Sequence, residues 1–142
     1  MFRKMLVAAG AAGLALAATP AQAATTVTTC SYSALQSGLS TKVCADVTGD
    51  QVALYGTIAL AGPPSPGYPI QPKDLIVNLN GNVVGGASIG SYQGYRTFYA
   101  STIKVEGVGG TVPCNSTVHA SFSVSSFGWY NTPVTLDVPV NC

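Results

Sequence analysis

The sequence carries little charge. Its 142 residues include six Lys and Arg, five Asp and Glu, and one His. Nucleic acids and anionic membrane surfaces are bound through clustered basic side chains. Beyond residue 23 the basic residues are few and scattered: Lys42, Lys73, Arg96 and Lys104. We therefore expect neither a nucleic acid nor a membrane surface as a partner.

Long apolar runs and helical periodicity are also scarce beyond residue 23. No run there approaches the ~18 residues that a membrane-spanning helix needs, so we predict no membrane span. One segment, SALQSGLS at residues 33–40, has the composition of a single helical turn. The rest of the chain predicts strands.

Residues suited to catalysis are few. The only histidine, His119, occupies an outward position of an alternating segment. Asp46 and Asp50 flank one turn, but the further oxygen ligands that calcium requires do not follow nearby. We expect a protein without catalytic activity, cofactor or metal ion.

The first 23 residues have the pattern of an export signal. Arg3 and Lys4 precede an apolar stretch, and Ala21-Gln22-Ala23 supplies small residues at a cleavage position. The alanine-rich stretch is typical of bacteria. We predict a signal peptide at residues 1–23 and one secreted domain at 24–142, a length that suits a single core.

Four cysteines in an exported chain predict two disulfides. Of the three possible connectivities we favour Cys30 with Cys44 and Cys114 with Cys142, because each pair then joins neighbouring strands. Loop-closure entropy assigns such bridges on the order of 3 to 3.6 kcal/mol each.

Period-2 alternation of apolar and polar residues runs through the domain. We predict about eight strands, and Pro139 marks the last as an edge strand or a bulge. The pattern predicts an all-β, antiparallel β-sandwich of immunoglobulin-like appearance, with a small β-barrel as the alternative. The predicted strands are residues 25–32, 41–47, 51–61, 74–79, 82–89, 97–106, 117–125 and 134–141.

Turn signals arrange the connections between these strands. Asn80-Gly81 predicts a type I′ hairpin, and GVGG at 107–110 predicts another turn. Successive connections in an antiparallel sandwich fall at alternate ends. We therefore expect GSYQGYR (90–96), SFGWYNTP (126–133) and the proline-rich segment to be loops at one end.

The proline-rich segment GPPSPGYPIQP, residues 62–72, holds five of the nine prolines. Four of them recur at every third residue, the repeat of a polyproline II helix. Two interpretations remain: a crossover between the sheets, or a stiff loop that presents Tyr68 as a binding anchor.

Aromatic residues cluster in the predicted loops, and such rings suit protein interfaces and sugar faces. We expect Phe98 and Phe127 to be buried. The candidate binding residues are Tyr68, Tyr95, Arg96, Trp129 and Tyr130.

Together these features predict a small secreted binding module that recognises an extracellular protein or polysaccharide through loops at one end. One alternative is an inhibitor of an extracellular enzyme that uses the loop 62–72. Another is a structural protein that self-assembles at a surface through its edge strands.

Overall fold

The computed structural model describes residues 25–64, 66–67, 69–127 and 131–142. This part of the chain contains nine strands and no helix. The strands are β1 (Thr26–Cys30), β2 (Ala34–Gln36), β3 (Leu39–Thr48), β4 (Gln51–Ala59), β5 (Lys73–Val83), β6 (Ser88–Phe98), β7 (Ile103–Thr111), β8 (Ser116–Ser125) and β9 (Val134–Val140).

The strands form two antiparallel sheets, which we call sheet 1 and sheet 2. Sheet 1 has the order β1-β3-β4-β7, with β2 pairing to β3 beyond the end of β1, and sheet 2 has the order β6-β5-β8-β9. This arrangement confirms the predicted all-β sandwich. The strand orders differ from those of immunoglobulin domains, which are A-B-E-D and C-F-G, so the likeness to those domains is one of architecture only.

The core lies between the two sheets and follows the predicted alternation. In β8 the inward residues Val118, Phe122 and Val124 are fully buried, and the serines between them face outward. Burying a side chain the size of Phe122 stabilises the fold by about 1.5 to 3 kcal/mol. The ring of Phe122 packs over Gly56 of β4, where an added Cβ would lie 2.5 Å from ring carbons. Contacts of this kind hold sheet 1 against sheet 2.

The predicted hairpin at Asn80-Gly81 is wrong, because both residues lie within β5. Gly81 is buried, and a Cβ there would collide with the side chain of Leu54 from the opposite sheet. The turn lies four residues later, where Gly85 has a φ of 73° and the backbone N–H of Val83 donates to the carbonyl of Ala87. Close packing between the sheets, not a turn, therefore accounts for the glycine at position 81.

Two further segments expected to be loops or turns are strands. Residues 90–96 form most of β6, paired along their length with β5, and residues 107–110 lie in β7. The strand predicted at 97–106 is instead divided between the end of β6 and the start of β7. Glycine suggested breaks here, but the chain stays paired to its neighbouring strands. Gly90 and Gly107, with φ values of 154° and 121°, lie at shifts of register within these pairings.

Segment 33–40 is not helical. It forms β2, a tight turn and the start of β3, with Gln36 opposite Leu39. The two turn residues, Ser37 and Gly38, have φ values of 52° and 77°, as a two-residue type I′ hairpin requires.

Both predicted disulfides are present. Cys30 and Cys44 are opposite each other in the pairing of β1 with β3, with Cα atoms 4.0 Å apart. Cys114 and Cys142 join the β7–β8 connection to the residues after β9. The predicted connectivity is confirmed.

The connections differ in length at the two ends of the sandwich. One end, which we call the long-loop end, carries the turn at 37–38, the segment 60–72, the connection 99–102 and the connection 126–133. The segment 60–72 crosses from β4 in sheet 1 to β5 in sheet 2, which confirms the crossover interpretation. The other end carries the short connections at 49–50, 84–87 and 112–115.

The sequence predicted one edge strand of the sandwich correctly. Pro139 lies in β9, an edge strand as predicted.

Within the described ranges, no helix has the length and hydropathy to cross a membrane.

Candidate functional site

The structure describes two of the five candidate binding residues. Tyr68, Trp129 and Tyr130 lie outside the described residues, so their orientation stays a prediction. Tyr95 and Arg96 lie in β6 rather than in a loop. Tyr95 is 77% exposed, as expected.

Tyr95 and Arg96 point to opposite faces of β6, because consecutive residues of a strand alternate. Arg96 is half-buried rather than exposed. Its guanidinium lies 5.6 Å from the ring centroid of Tyr92, within cation–π distance, and its Nη1 donates to the carbonyl of Tyr95 at 3.0 Å. Tyr95 alone of this pair faces the outer surface of sheet 2.

The two phenylalanines expected in the core differ in burial. Phe98, the last residue of β6, is 1% exposed, as predicted. The prediction for Phe127 is wrong, because its side chain is fully exposed. Phe127 follows the end of β8, and β9 begins only at Val134, opposite Phe122. Phe127 therefore lies beyond the paired part of sheet 2, where sheet 1 does not cover its side chain.

Ile76 is a site residue that the sequence analysis missed. It is 38% exposed on the outer face of β5, directly opposite Tyr95 of β6 and Ser125 of β8. The segment DLIVNL is an apolar run in which the alternation is hard to see. The burial of Leu75 and Val77 on either side identifies Ile76 as the outward residue.

These outward side chains line a shallow groove at the long-loop end of sheet 2. The groove has a volume of about 390 Å³ and a mainly apolar lining. Asp74 supplies the only charged side chain among its described lining residues. We call it the Tyr95 groove, and it is lined by Asp74, Leu75, Ile76, Tyr95, Ser125, Ser126 and Phe127.

Polar contacts fasten the chain around the Tyr95 groove. Asn131 donates through Nδ2 to the hydroxyls of Ser123 and Ser125 at 2.8 and 2.9 Å. These bonds tie the end of connection 126–133 to the outer face of β8. On the sheet 1 side, Lys73 donates to the carbonyl of Ser37 at 2.7 Å, where the crossover segment enters β5.

A buried glutamine joins the sheets below the Tyr95 groove. Gln36 of β2 has no exposed surface. Its Nε2 donates to Thr41 Oγ1 at 2.8 Å and to the carbonyl of Phe122 at 3.0 Å. Its Oε1 accepts the backbone N–H of Val124 at 3.0 Å. Hydrogen bonds from sheet 1 therefore fix the backbone of β8, the strand that carries Ser123 and Ser125.

His119 faces outward, as predicted, and its Nδ1 lies 2.6 Å from Oδ1 of Asp137 on β9. The carboxylate can orient the imidazole, but nucleophilic catalysis needs a third group within hydrogen-bond reach. Asp137 is the only side chain of the described chain that hydrogen-bonds to His119. All four cysteines are in disulfides.

The outer face of sheet 1 carries a cluster of charge. Lys104 Nζ lies 3.1 Å from the carboxylate of Glu106 and 4.3 Å from the ring centroid of Tyr55. The hydrogen bond that Lys104 donates to the carboxylate of Glu106 raises the pKa of Lys104 above its ordinary value. Both groups of this ion pair are more than half exposed, so the pair contributes little to stability. In the described chain, no group of three or more His, Cys, Asp or Glu side chains could hold a metal ion.

No protein-family model, curated protein or solved structure matches the chain. Its function must therefore be inferred from the chemistry of its own side chains.

Proposed function

We propose that the protein is a secreted, non-catalytic binding module that recognises an extracellular protein or polysaccharide at its long-loop end. The observation that carries the proposal is the exposure of Ile76, Tyr95 and Phe127 around one groove. Clustered apolar side chains on the surface of a soluble domain mark sites of interaction.

The rigidity of the groove supports recognition. Tyr95 and Ile76 lie on paired strands rather than on a free loop, and Asn131 and Gln36 fix the strand beside them. A preorganised surface loses less conformational entropy when a ligand binds. Proline in the neighbouring segment 62–72 restricts that loop in the same way.

Two disulfides support the secreted location, because such bonds form and persist in oxidising compartments. The export signal predicted at residues 1–23 points to the same location. The site thus faces extracellular ligands.

The first experiment measures retention of the purified protein on cell-envelope preparations and on proteins of culture supernatant. We expect Tyr95→Ala combined with Phe127→Ala to weaken retention at least about tenfold, since the loss of each ring removes roughly 1 kcal/mol or more of binding free energy. Tyr32→Ala is the matched control, because Tyr32 is 97% exposed on the distant edge of sheet 1. Equal retention of the double variant and the parent protein would refute the proposal.

A further inference from the structure

Beyond the Tyr95 groove, the outer face of sheet 2 continues as two rows of uncharged polar side chains. In the first row, Asn78 of β5 is opposite Gln93 of β6 and Ser123 of β8. In the second row, Asn80 is opposite Ser91 and Ser121. We call these rows the amide face, defined by Asn78, Asn80, Ser91, Gln93, Ser121 and Ser123.

The amide face follows directly from the pleat of the sheet. Residues on one face of a strand lie ~6.6 to 6.8 Å apart, and neighbouring strands lie about 4.8 Å apart. Tyr95 and Ile76 form the row before Gln93 and Asn78 along the same strands. The apolar groove and the amide face are therefore one continuous surface.

Ser123 accepts a hydrogen bond from Asn131, but the three amides of the amide face are not used in this way within the described chain. Among the described residues, the side chains of Asn78, Asn80 and Gln93 make no hydrogen bond to another residue. Each amide offers two donors and one acceptor to a ligand. These groups are hydrated in the free protein, so a ligand must replace their water hydrogen bonds.

The outer face of sheet 1 is different, because its polar side chains bind one another. Thr26 pairs with Thr48, Thr28 donates to Asp46, and Gln51 donates to Thr111. Polar groups on that face are largely satisfied by their neighbours. The amides of Asn78, Asn80 and Gln93 on sheet 2 have no such partners among the described residues and are available for a ligand.

Charge on this surface is confined to its two ends. Asp74 borders the Tyr95 groove, and Asp137 lies beside His119 past the second row. The rows between them contain no Lys, Arg, Asp or Glu. A neutral ligand crosses this surface without burying an unpaired charge, whereas an acidic ligand meets carboxylates at both ends.

We propose that the Tyr95 groove and the amide face together bind a neutral polysaccharide. A sugar ring stacks its C–H face on Tyr95, and the hydroxyls of the following sugars bond to Asn78 and Gln93. This inference rests on the proposed binding function and specifies its ligand class.

A protein partner fits the surface less well. The centre of a protein interface is enriched in aromatic residues, Met and Arg. Here the large apolar side chains Ile76, Tyr95 and Phe127 are confined to one end, and the remainder is amide and hydroxyl. Alternating apolar and hydroxyl surfaces are a property of sugar chains.

The test titrates the full-length secreted protein with soluble neutral polysaccharides, namely β-glucan, mannan, xylan and galactan, and with the acidic polymer polygalacturonate. We expect binding to at least one neutral polymer, with affinity changed less than about twofold between low and high salt. We expect the double variant Asn78→Ala/Gln93→Ala to bind at least tenfold more weakly. Gln51→Ala/Thr57→Ala on sheet 1 is the control and should bind like the parent protein.

The outcomes separate this inference from the proposed function. If no neutral polymer is bound while retention on the cell envelope still depends on Tyr95, the polysaccharide inference is overturned and the binding function stands. Binding to polygalacturonate alone, or unchanged affinity of Asn78→Ala/Gln93→Ala, also overturns it. Asn78→Ser/Gln93→Ser provides a second, milder variant, and circular dichroism verifies that each variant folds.

Discussion

Gln36 shows how one side chain can replace part of a strand. β9 begins opposite Phe122, so the last residues of β8 extend beyond their neighbour. The amide of Gln36 accepts from Val124 and donates to Phe122, as a paired backbone would. Buried backbone groups need such partners, and a side chain from the other sheet supplies them here.

The prediction for Gln36 concerns stability. Gln36→Met keeps a similar shape but leaves two buried backbone groups without partners, which costs about 2 to 5 kcal/mol in total. Urea unfolding followed by fluorescence or circular dichroism measures the loss. Leu35→Ala is the control, because Leu35 is 68% exposed in the same strand and should change stability by less than about 0.5 kcal/mol. A Gln36→Met variant as stable as the parent protein would contradict the role assigned to this amide.

Phe98 and Phe127 show why the burial of single residues is hard to predict in this chain. Both are phenylalanines close to glycine or polar residues, and the sequence offers no difference that separates them. Phe98 ends a strand that is covered by the other sheet, whereas Phe127 lies past the end of β8. Burial therefore depends on where strands end relative to their neighbours.

The hairpin between β5 and β6 shows that local sequence signals also fail to locate whole strands and turns. Asn-Gly is a strong local turn signal, yet here it continues a strand. Ten residues of β5, from Lys73 to Asn82, pair with β6, and the next strand on the other side, β8, pairs with the same residues from Ile76 onward. The hydrogen bonds and packing of two neighbours outweigh a local turn preference.

A matched pair of threonine substitutions tests this position of the turn. Asn80→Thr places a β-branched residue at an exposed strand position and should change stability by less than about 0.5 kcal/mol. Gly85→Thr forces the same residue to adopt a φ of 73° and should cost on the order of 1 to 2 kcal/mol. Thermal or urea unfolding of both variants gives the comparison. A larger loss for Asn80→Thr than for Gly85→Thr would place the turn at Asn80-Gly81.

The two disulfides act on the molecule as a whole, one at each margin. Cys30–Cys44 fastens the exposed first strand to β3, and Cys114–Cys142 fastens the chain after β9 to the β7–β8 connection. Both restrict the unfolded chain, and the longer closure restricts it more.

We expect the two bridges to differ slightly in their effect on stability. Their sequence separations are 14 and 28 residues, and loop-closure entropy gives about 3 and about 3.6 kcal/mol respectively. The variants Cys30→Ala/Cys44→Ala and Cys114→Ala/Cys142→Ala, unfolded in urea without reductant, measure each contribution. A loss below 1 kcal/mol for either variant would show that its bridge does not constrain the unfolded chain as expected.

The sandwich also separates two surfaces of different chemistry. The outer face of sheet 1 holds the ion pair of Lys104 with Glu106 and internally bonded threonines. The outer face of sheet 2 holds the amide face and the Tyr95 groove. Only the assembled sheets show this division, because it depends on which strands belong to each sheet.

Local properties of the chain were sufficient to predict the class of fold. Period-2 alternation, the scarcity of helical patterns and the even number of cysteines depend on composition and nearest neighbours, so they indicated strands, the sandwich and both disulfides. The crossover at 62–72 was one of two interpretations that the sequence left open. The outward position of His119 in β8 was likewise predicted from alternation alone.

Contacts between residues distant in sequence decided where the turns lie and which residues form the Tyr95 groove. Gly81 remains in a strand because Leu54 of the other sheet packs against it, and Ile76 joins Tyr95 because strand register places them side by side. Gln36 meets Val124 although 88 residues separate them. Register and sheet packing are set by the combined burial of the whole core, which no short segment of sequence contains.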